Sequence, residues 1–303
     1  MNLPPQAFLE ITRACNQACP FCSCLWFQEG ESVNAERREL SIDEWKEVAS
    51  ELIANGVRII GVTGGEPTLK SGWMELLRHL KAELEKHHPK QHELALFTNG
   101  KEFRPEWREL LQECGAKPYV SLPGLTTFSK QTGQRDGDFR EVLRLIASLR
   151  ELTVTAGITV TKCMLPELYE TISYAMLSGA ERVMLNLFKP SGRGGSHPEL
   201  LLTDKDVLFA AQTAETVVAK CHGTIFCGGE FPPYIRQEEF PHLKIETRCV
   251  AANGTITVAP DGYLHACEHD ASPLCFWKEW RTLDNHPRWC AFLNNGEHVC
   301  PLF

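Results

Sequence analysis

No run of apolar residues in this 303-residue chain approaches the ~20 that a membrane-spanning helix requires. A secretory signal is lacking too, because Met1 to Gln6 is short, polar and proline-containing, and the apolar run behind it stops within a few residues. Positive charge is in deficit: 31 Lys and Arg stand against 39 Asp and Glu, for a formal charge of −8. A phosphate backbone would be repelled over most of such a surface. There is no long internal repeat and no low-complexity tract. These absences lead to the expectation of a soluble, cytoplasmic protein with neither membrane nor nucleic acid as partner.

Cysteine, by contrast, is plentiful. A chain of this length buries enough core to fold without staples, so its thirteen cysteines are not needed for stability. In a reducing compartment, clustered cysteines bind metal or do chemistry more often than they form disulfides. Four of them fall in the eleven residues ACNQACPFCSC, Ala14 to Cys24.

Strand and helix patterns alternate along most of the chain. FLEIT (8–12), RIIGV (58–62), ELALF (93–97), YVSL (119–122), AGITVT (156–161) and RVMLNL (182–187) read as buried strands. Each is followed by an amphipathic helix. The first of these opens on a Ser41/Glu44 capping box, and the third runs from Pro105 to a Cys114-Gly115 stop. Six such units predict a parallel sheet curled into a partial (β/α)6 barrel, with chemistry at the C-terminal ends of the strands. The cysteine loop, Gly64-Gly65-Glu66-Pro67, Thr98-Asn99-Gly100 and Ser121 all fall there. Thr98-Asn99-Gly100 is also an ordinary turn sequence and is not assigned to the site.

The pattern changes after about Lys220. KPSGRGGSHPE (189–199) reads as a loop, TITVAPDGYLHAC as a hairpin turning at Pro260-Asp261-Gly262, and six cysteines follow Cys221. The expected division is a barrel over 1–220 and a small, metal-held unit over 221–303.

Cys15, Cys19 and Cys22 have C-x3-C-x2-C spacing. Closed zinc coordination with Cys24 as the fourth ligand is one reading. The other is a [4Fe–4S] cube with one iron left for a substrate or cofactor. On this spacing, with Phe21 inside it and Gly64-Gly65-Glu66-Pro67 after the second strand, the chain resembles the radical S-adenosylmethionine superfamily. The resemblance implies that Cys15, Cys19 and Cys22 hold the cluster, that Phe21 lies against the adenine, and that Gly64, Gly65 and Glu66 meet the methionine amino group. It also implies that Ser121 faces the ribose or carboxylate and that LNLFKPSGRG runs near the adenine. The implied activity is reductive cleavage of S-adenosylmethionine to a 5′-deoxyadenosyl radical, fed by a reducing electron donor. Cys24 receives no role.

Cys249-x12-Gly262-x4-Cys267 resembles the opening of the SPASM and Twitch extensions of that superfamily, which carry an auxiliary iron–sulfur cluster. A dense C-x2-C-x5-C-x3-C run is missing, which makes the tail Twitch-like. Cys249, Cys267, Cys290 and Cys300 are the expected ligands, with Cys275 and Cys227 as rivals and a zinc ribbon as the other reading. Cys114, Cys163 and Cys221 read as core residues.

VSLPG and TGQRDGDFREVLRLIASL resemble segments of maturases that act on ribosomally made peptides. This resemblance implies a precursor peptide as substrate, with cross-linking, epimerisation or splicease-like backbone excision as the possible reactions. Only seven residues precede the first strand, so a separate leader-recognition protein is expected. Two alternatives stay open. One is a radical dehydrogenase of a carbohydrate or cyclitol, with a base among His265, Glu268 and His269; the other is a non-catalytic iron–sulfur scaffold.

Overall fold

The computed structural model describes residues 3–27, 38–134, 137–228, 231–246 and 249–294. In chain order it runs β1 (Gln6–Glu10), α1 (Ile42–Ala54), β2 (Ile59–Thr63), α2 (Trp73–His87), β3 (Glu93–Thr98), α3 (Pro105–Cys114) and β4 (Lys117–Ser121). Then come α4 (Phe128–Thr132), α5 (Phe139–Ser148), β5 (Thr155–Val160), α6 (Leu168–Leu177), β6 (Arg182–Leu187) and α7 (Asp204–Val218). The chain continues through β7 (Thr224–Cys227), β8 (Leu243–Ile245), β9 (Thr255–Val258), β10 (Tyr263–His265), β11 (Cys275–Phe276) and α8 (Pro287–Asn294).

Among the described residues the eleven strands form one sheet, ordered β11-β10-β9-β1-β2-β3-β4-β5-β6-β7-β8. From β1 to β8 every neighbour is parallel. This is the expected α/β partial barrel, with helices outside covering the buried positions of each strand. Local signals hold where they were expected. Ser41 and Glu44 make the reciprocal capping box of α1, and Gly115 closes α3 in the left-handed region. One apolar cluster packs α1, α2 and α3 on the first strands together with β9, β10 and the C-terminal segment; a second packs α5, α6 and α7 on β4 to β8.

Beyond residue 220 the chain keeps contributing strands. β7 and β8 extend the sheet past β6, and β9 pairs parallel with β1 on the opposite side. Gly262, at φ +86°, turns β9 into β10 as an antiparallel hairpin. β7 and β8 escape sequence reading because four and three residues are too few to show a period. Among the described residues no helix is long and apolar enough to cross a membrane.

Candidate functional site

β1 ends at Glu10, and the cysteine loop that follows is gripped from several sides. Behind it, the Glu39 carboxylate accepts from the Arg13 N–H (2.6 Å), the Thr12 hydroxyl (3.2 Å) and the Lys70 ammonium (2.7 Å). Burial alone would raise this acid, yet those donors hold it below the usual carboxylate range. From the loop after β2, the Gly65 and Glu66 N–H groups donate to the Thr12 and Ala14 carbonyls, each at 2.8 Å. A Cβ on Gly65 would lie 2.3 Å from the Ala14 oxygen, so only glycine permits this approach.

The loop after β6 closes the other side. Arg193 donates to the Cys19 carbonyl (3.1 Å) and stacks over Phe27, and the Gly194 N–H donates to the Cys22 carbonyl (3.1 Å). Gly192, at φ +54°, sits where a Cβ would be 2.5 Å from the Cys24 carbonyl oxygen. The GRG of the segment expected near the adenine therefore docks on the cysteine loop itself. Asn99, from the loop after β3, donates to the Asn16 side chain at 2.8 Å.

These loops border a cavity of about 220 Å³ at the C-terminal ends of the strands. Cys15, Cys19 and Cys22 line it together with Phe21, Gly64, Gly65, Glu66 and Ser121. Sequence reading missed Thr98, Asn99, Thr159 and Asn186 on the same wall. For Thr98 and Asn99 the signal was their place directly after β3. For Thr159 and Asn186 it was their polarity in the last turns of otherwise apolar strands.

Glu66 is the buried acid of the cavity, 2% exposed. Its carboxylate accepts from the Thr68 hydroxyl (2.6 Å), the Thr98 hydroxyl (2.9 Å), and the N–H groups of Asn99 (2.8 Å) and Thr68 (3.3 Å). Burial outweighs these neutral donors and keeps its pKa above the ordinary carboxylate value. An ammonium group would supply the counter-charge it lacks. The cysteines differ among themselves: burial raises Cys15 and Cys19, while a hydrogen bond from the Cys24 thiol lowers Cys22. The Cys24 sulfur also lies 3.6 Å from the Gly64 carbonyl oxygen, the alternative acceptor for its one proton.

Three thiols on one loop beside a buried carboxylate fit an iron–sulfur cube with an amino-acid cofactor at its fourth iron. Among the described residues no three His, Cys, Asp or Glu side chains are arranged to hold a single metal ion. A cube takes its thiolates one per iron.

A second cavity of about 430 Å³ lies inside the barrel and meets the first at Phe97, Asn186, Lys189, Glu268 and His269. Cys249 and Cys267 both line it. Burial pushes the Cys267 thiol up to about 12, and the His269 N–H donates to its sulfur at 3.3 Å. Cys290 is not brought to that wall; its thiol, on α8, donates to the Asp284 carbonyl at 3.3 Å. Cys300 lies outside the described residues. Of the rivals, Cys227 and Cys275 are buried in the two apolar clusters, and Cys114 is core as expected.

His265 is buried, hydrogen-bonds the Asp270 carbonyl (2.7 Å) and is held below its ordinary pKa by burial. Glu268 and His269 stand at the junction of the cavities. Glu10, not anticipated from sequence, ends β1 nearby, and burial first and then the Glu268 charge raise its pKa well above the ordinary value.

A parallel partial barrel with a three-cysteine loop at its mouth and a buried acid across the cavity defines an iron–sulfur enzyme of the radical-generating kind. The radical SAM superfamily domain matches residues 9–174, and the chain belongs to that superfamily. It is similar to the sporulation killing factor maturation protein SkfB of Bacillus subtilis (strain 168), with 29% identity over 59% of this chain and 41% of that protein. It also resembles the PqqA peptide cyclase of Ruegeria pomeroyi, with 26% identity over 88% of this chain and 69% of the cyclase. The chain thus spans less than half the length of the sporulation protein it matches. In fold it is similar to Streptococcus suis SuiB bound to S-adenosylmethionine (TM-score 0.66) and to SuiB bound to precursor peptide SuiA (TM-score 0.64). Both structures share 15% identity with this chain and cover 88% of it and 60% of SuiB.

Proposed function

We propose that the protein modifies a ribosomally synthesised precursor peptide by radical chemistry. The observation that carries this reading is the continuity of the two cavities, because the cysteine-lined chamber opens onto a second, larger lumen walled by Phe8, Phe97, Tyr119 and Phe226 rather than by the convergent polar groups a polyol requires. A maturation protein and a peptide cyclase among its relatives support the same class. When bound, S-adenosylmethionine and a reduced [4Fe–4S] cluster supply a 5′-deoxyadenosyl radical that abstracts hydrogen.

The chain's own residues bind and enclose these groups. Cys15, Cys19 and Cys22 would hold the cluster, and Glu66, with Gly64 and Gly65, would receive the cofactor ammonium. Phe21 would flank the adenine, and Ser121 would offer a hydroxyl to the ribose or carboxylate. The glycine-tight loop contacts exclude water from this half of the cavity. Residues 221–303 add the auxiliary function, with Cys249 and Cys267 as two ligands of a second cluster. A leader-recognition protein and a reducing electron donor complete the system.

The test is anaerobic reconstitution followed by reduction with S-adenosylmethionine present, beside co-expression with short peptides encoded next to the gene. 5′-Deoxyadenosine release and a mass change in one peptide are expected, both lost in the Cys15/Cys19/Cys22→Ala triple variant. Turnover of a cyclitol with no peptide changed would overturn the peptide reading in favour of a dehydrogenase.

A further inference from the structure

Barrel interiors are ordinarily filled by layers of bulky branched side chains. This one is not. Three inward-facing strand positions carry Gly61, Ala95 and Gly157, on β2, β3 and β5. Aromatic rings lie over the glycines: a Cβ at Gly61 would fall 2.7 Å from Phe8 and 2.9 Å from Phe97, and one at Gly157 would fall 2.1 Å from Tyr119. Glycine inside a strand weakens it and marks a place where another group approaches closely.

Here the glycines let the rings recline against the wall, which leaves the middle of the barrel open. Phe8 meets Phe97 edge-on (5.7 Å between centroids), and Phe97 stacks on Tyr119 (4.2 Å, 25° between planes). Asn186 donates to the Tyr119 hydroxyl at 3.2 Å, which fixes the far end of the shelf to β6. Phe97 and Asn186 also line the cofactor chamber, so the shelf is the threshold between the two cavities. Below it the floor is polar, closed by the Lys117–Glu93 ion pair and by Arg182 over the Phe226 ring.

We infer that the chamber bounded by Phe8, Phe97, Tyr119 and Phe226 receives an aromatic side chain of the substrate and so selects which residue of a peptide is presented to the radical. A ring guest pairs with ring edges and offset faces and gains beyond simple burial, and the Phe8, Phe97 and Tyr119 rings offer both. A lysine ammonium would lose water beside Arg182 and Lys189, with the Glu93 carboxylate already paired to Lys117. The inference rests on the peptide reading for the identity of the guest, while the selectivity of the chamber follows from its walls.

The experiment is saturation-transfer NMR on the reconstituted full chain with N-acetyl-phenylalaninamide, N-acetyl-leucinamide and N-acetyl-lysinamide. The phenylalanine amide should show the strongest transfer and the lysine amide none. Ala95→Phe, which fills the chamber, should cut the phenylalanine signal at least fivefold. Gly157→Ala, which drives Tyr119 off the wall, should do the same if Ala95→Phe does not fold. Equal binding of all three amides, or an unchanged signal in a folded filled variant, overturns the inference. Failure of this test would leave peptide modification standing, and failure to modify any peptide would leave aromatic binding standing.

Discussion

The cysteine loop behind β1 is gripped by the loops after β2, β3 and β6, whereas Cys267 follows directly on β10, a strand of the sheet. In the first region the three proposed ligands sit within eight residues and the fold only has to clamp them. In the second, the proposed ligands Cys249 and Cys267 come from either side of a hairpin, and any companions must arrive from elsewhere in the chain. A site of the first kind shows its ligands in local spacing; one of the second kind shows only those that the hairpin itself brings together.

The largest effect that separates the two regions is in iron. Cys249→Ala combined with Cys267→Ala should remove about four of about eight irons per chain while deoxyadenosine release persists. Cys290→Ala should remove none, because its thiol is turned to the Asp284 carbonyl. Loss of iron from the Cys290 variant would show that α8 swings toward the cavity when the cluster binds, and the two regions would then be more alike than their geometry suggests. The measurement is iron and sulfide after anaerobic reconstitution.

Next comes the anchor of the hairpin region. Arg288, on α8, donates twice to Asp270 (2.6 and 2.9 Å), an acid with no solvent exposure three residues after Cys267. Arg288→Ala strands that charge and should cost about 3 kcal/mol in denaturant unfolding. On the other side, Gly65→Ala puts a methyl group against a backbone oxygen and should cost about 1–3 kcal/mol. The iron readout distinguishes them. The glycine variant should bind the first cluster poorly, and the arginine variant should lose the auxiliary irons first.

Much of this was legible in the sequence because the signals were local. The first six strands, the Ser41 cap and the Gly262 turn follow from period, capping and turn chemistry, while Cys15, Cys19, Cys22, Phe21, Gly64, Gly65, Glu66 and Ser121 were named by the motifs that carry the family resemblance. What was not legible depends on contacts between distant segments. Nothing in TIFC or LKI announces a strand until β6 offers an edge. Thr98-Asn99-Gly100 reads as a turn, and only the fold reveals that Thr98 and Asn99 are donors to Glu66. The same holds for Arg193, which reads as a loop charge until its guanidinium reaches the Cys19 carbonyl.

The smallest effect concerns Glu39, the clamp behind the cysteine loop. Its folded-state pKa lies below the unfolded value, so the folded protein favours the ionised form. The stabilisation is therefore complete above the unfolded pKa, near 4.5, and is lost as pH falls through the folded one. Glu39→Gln keeps an acceptor for the Arg13 N–H but loses the charge facing Lys70, and should cost about 1 kcal/mol at pH 7. The gap between wild type and variant should narrow below about pH 4.5, measured as denaturant midpoints across the range. A gap that stays constant would mean that Glu39 acts on the loop through shape alone. The electrostatic part of the grip on the first cysteines would then rest on Arg193 and the backbone N–H groups of Gly65, Glu66 and Gly194, without Glu39.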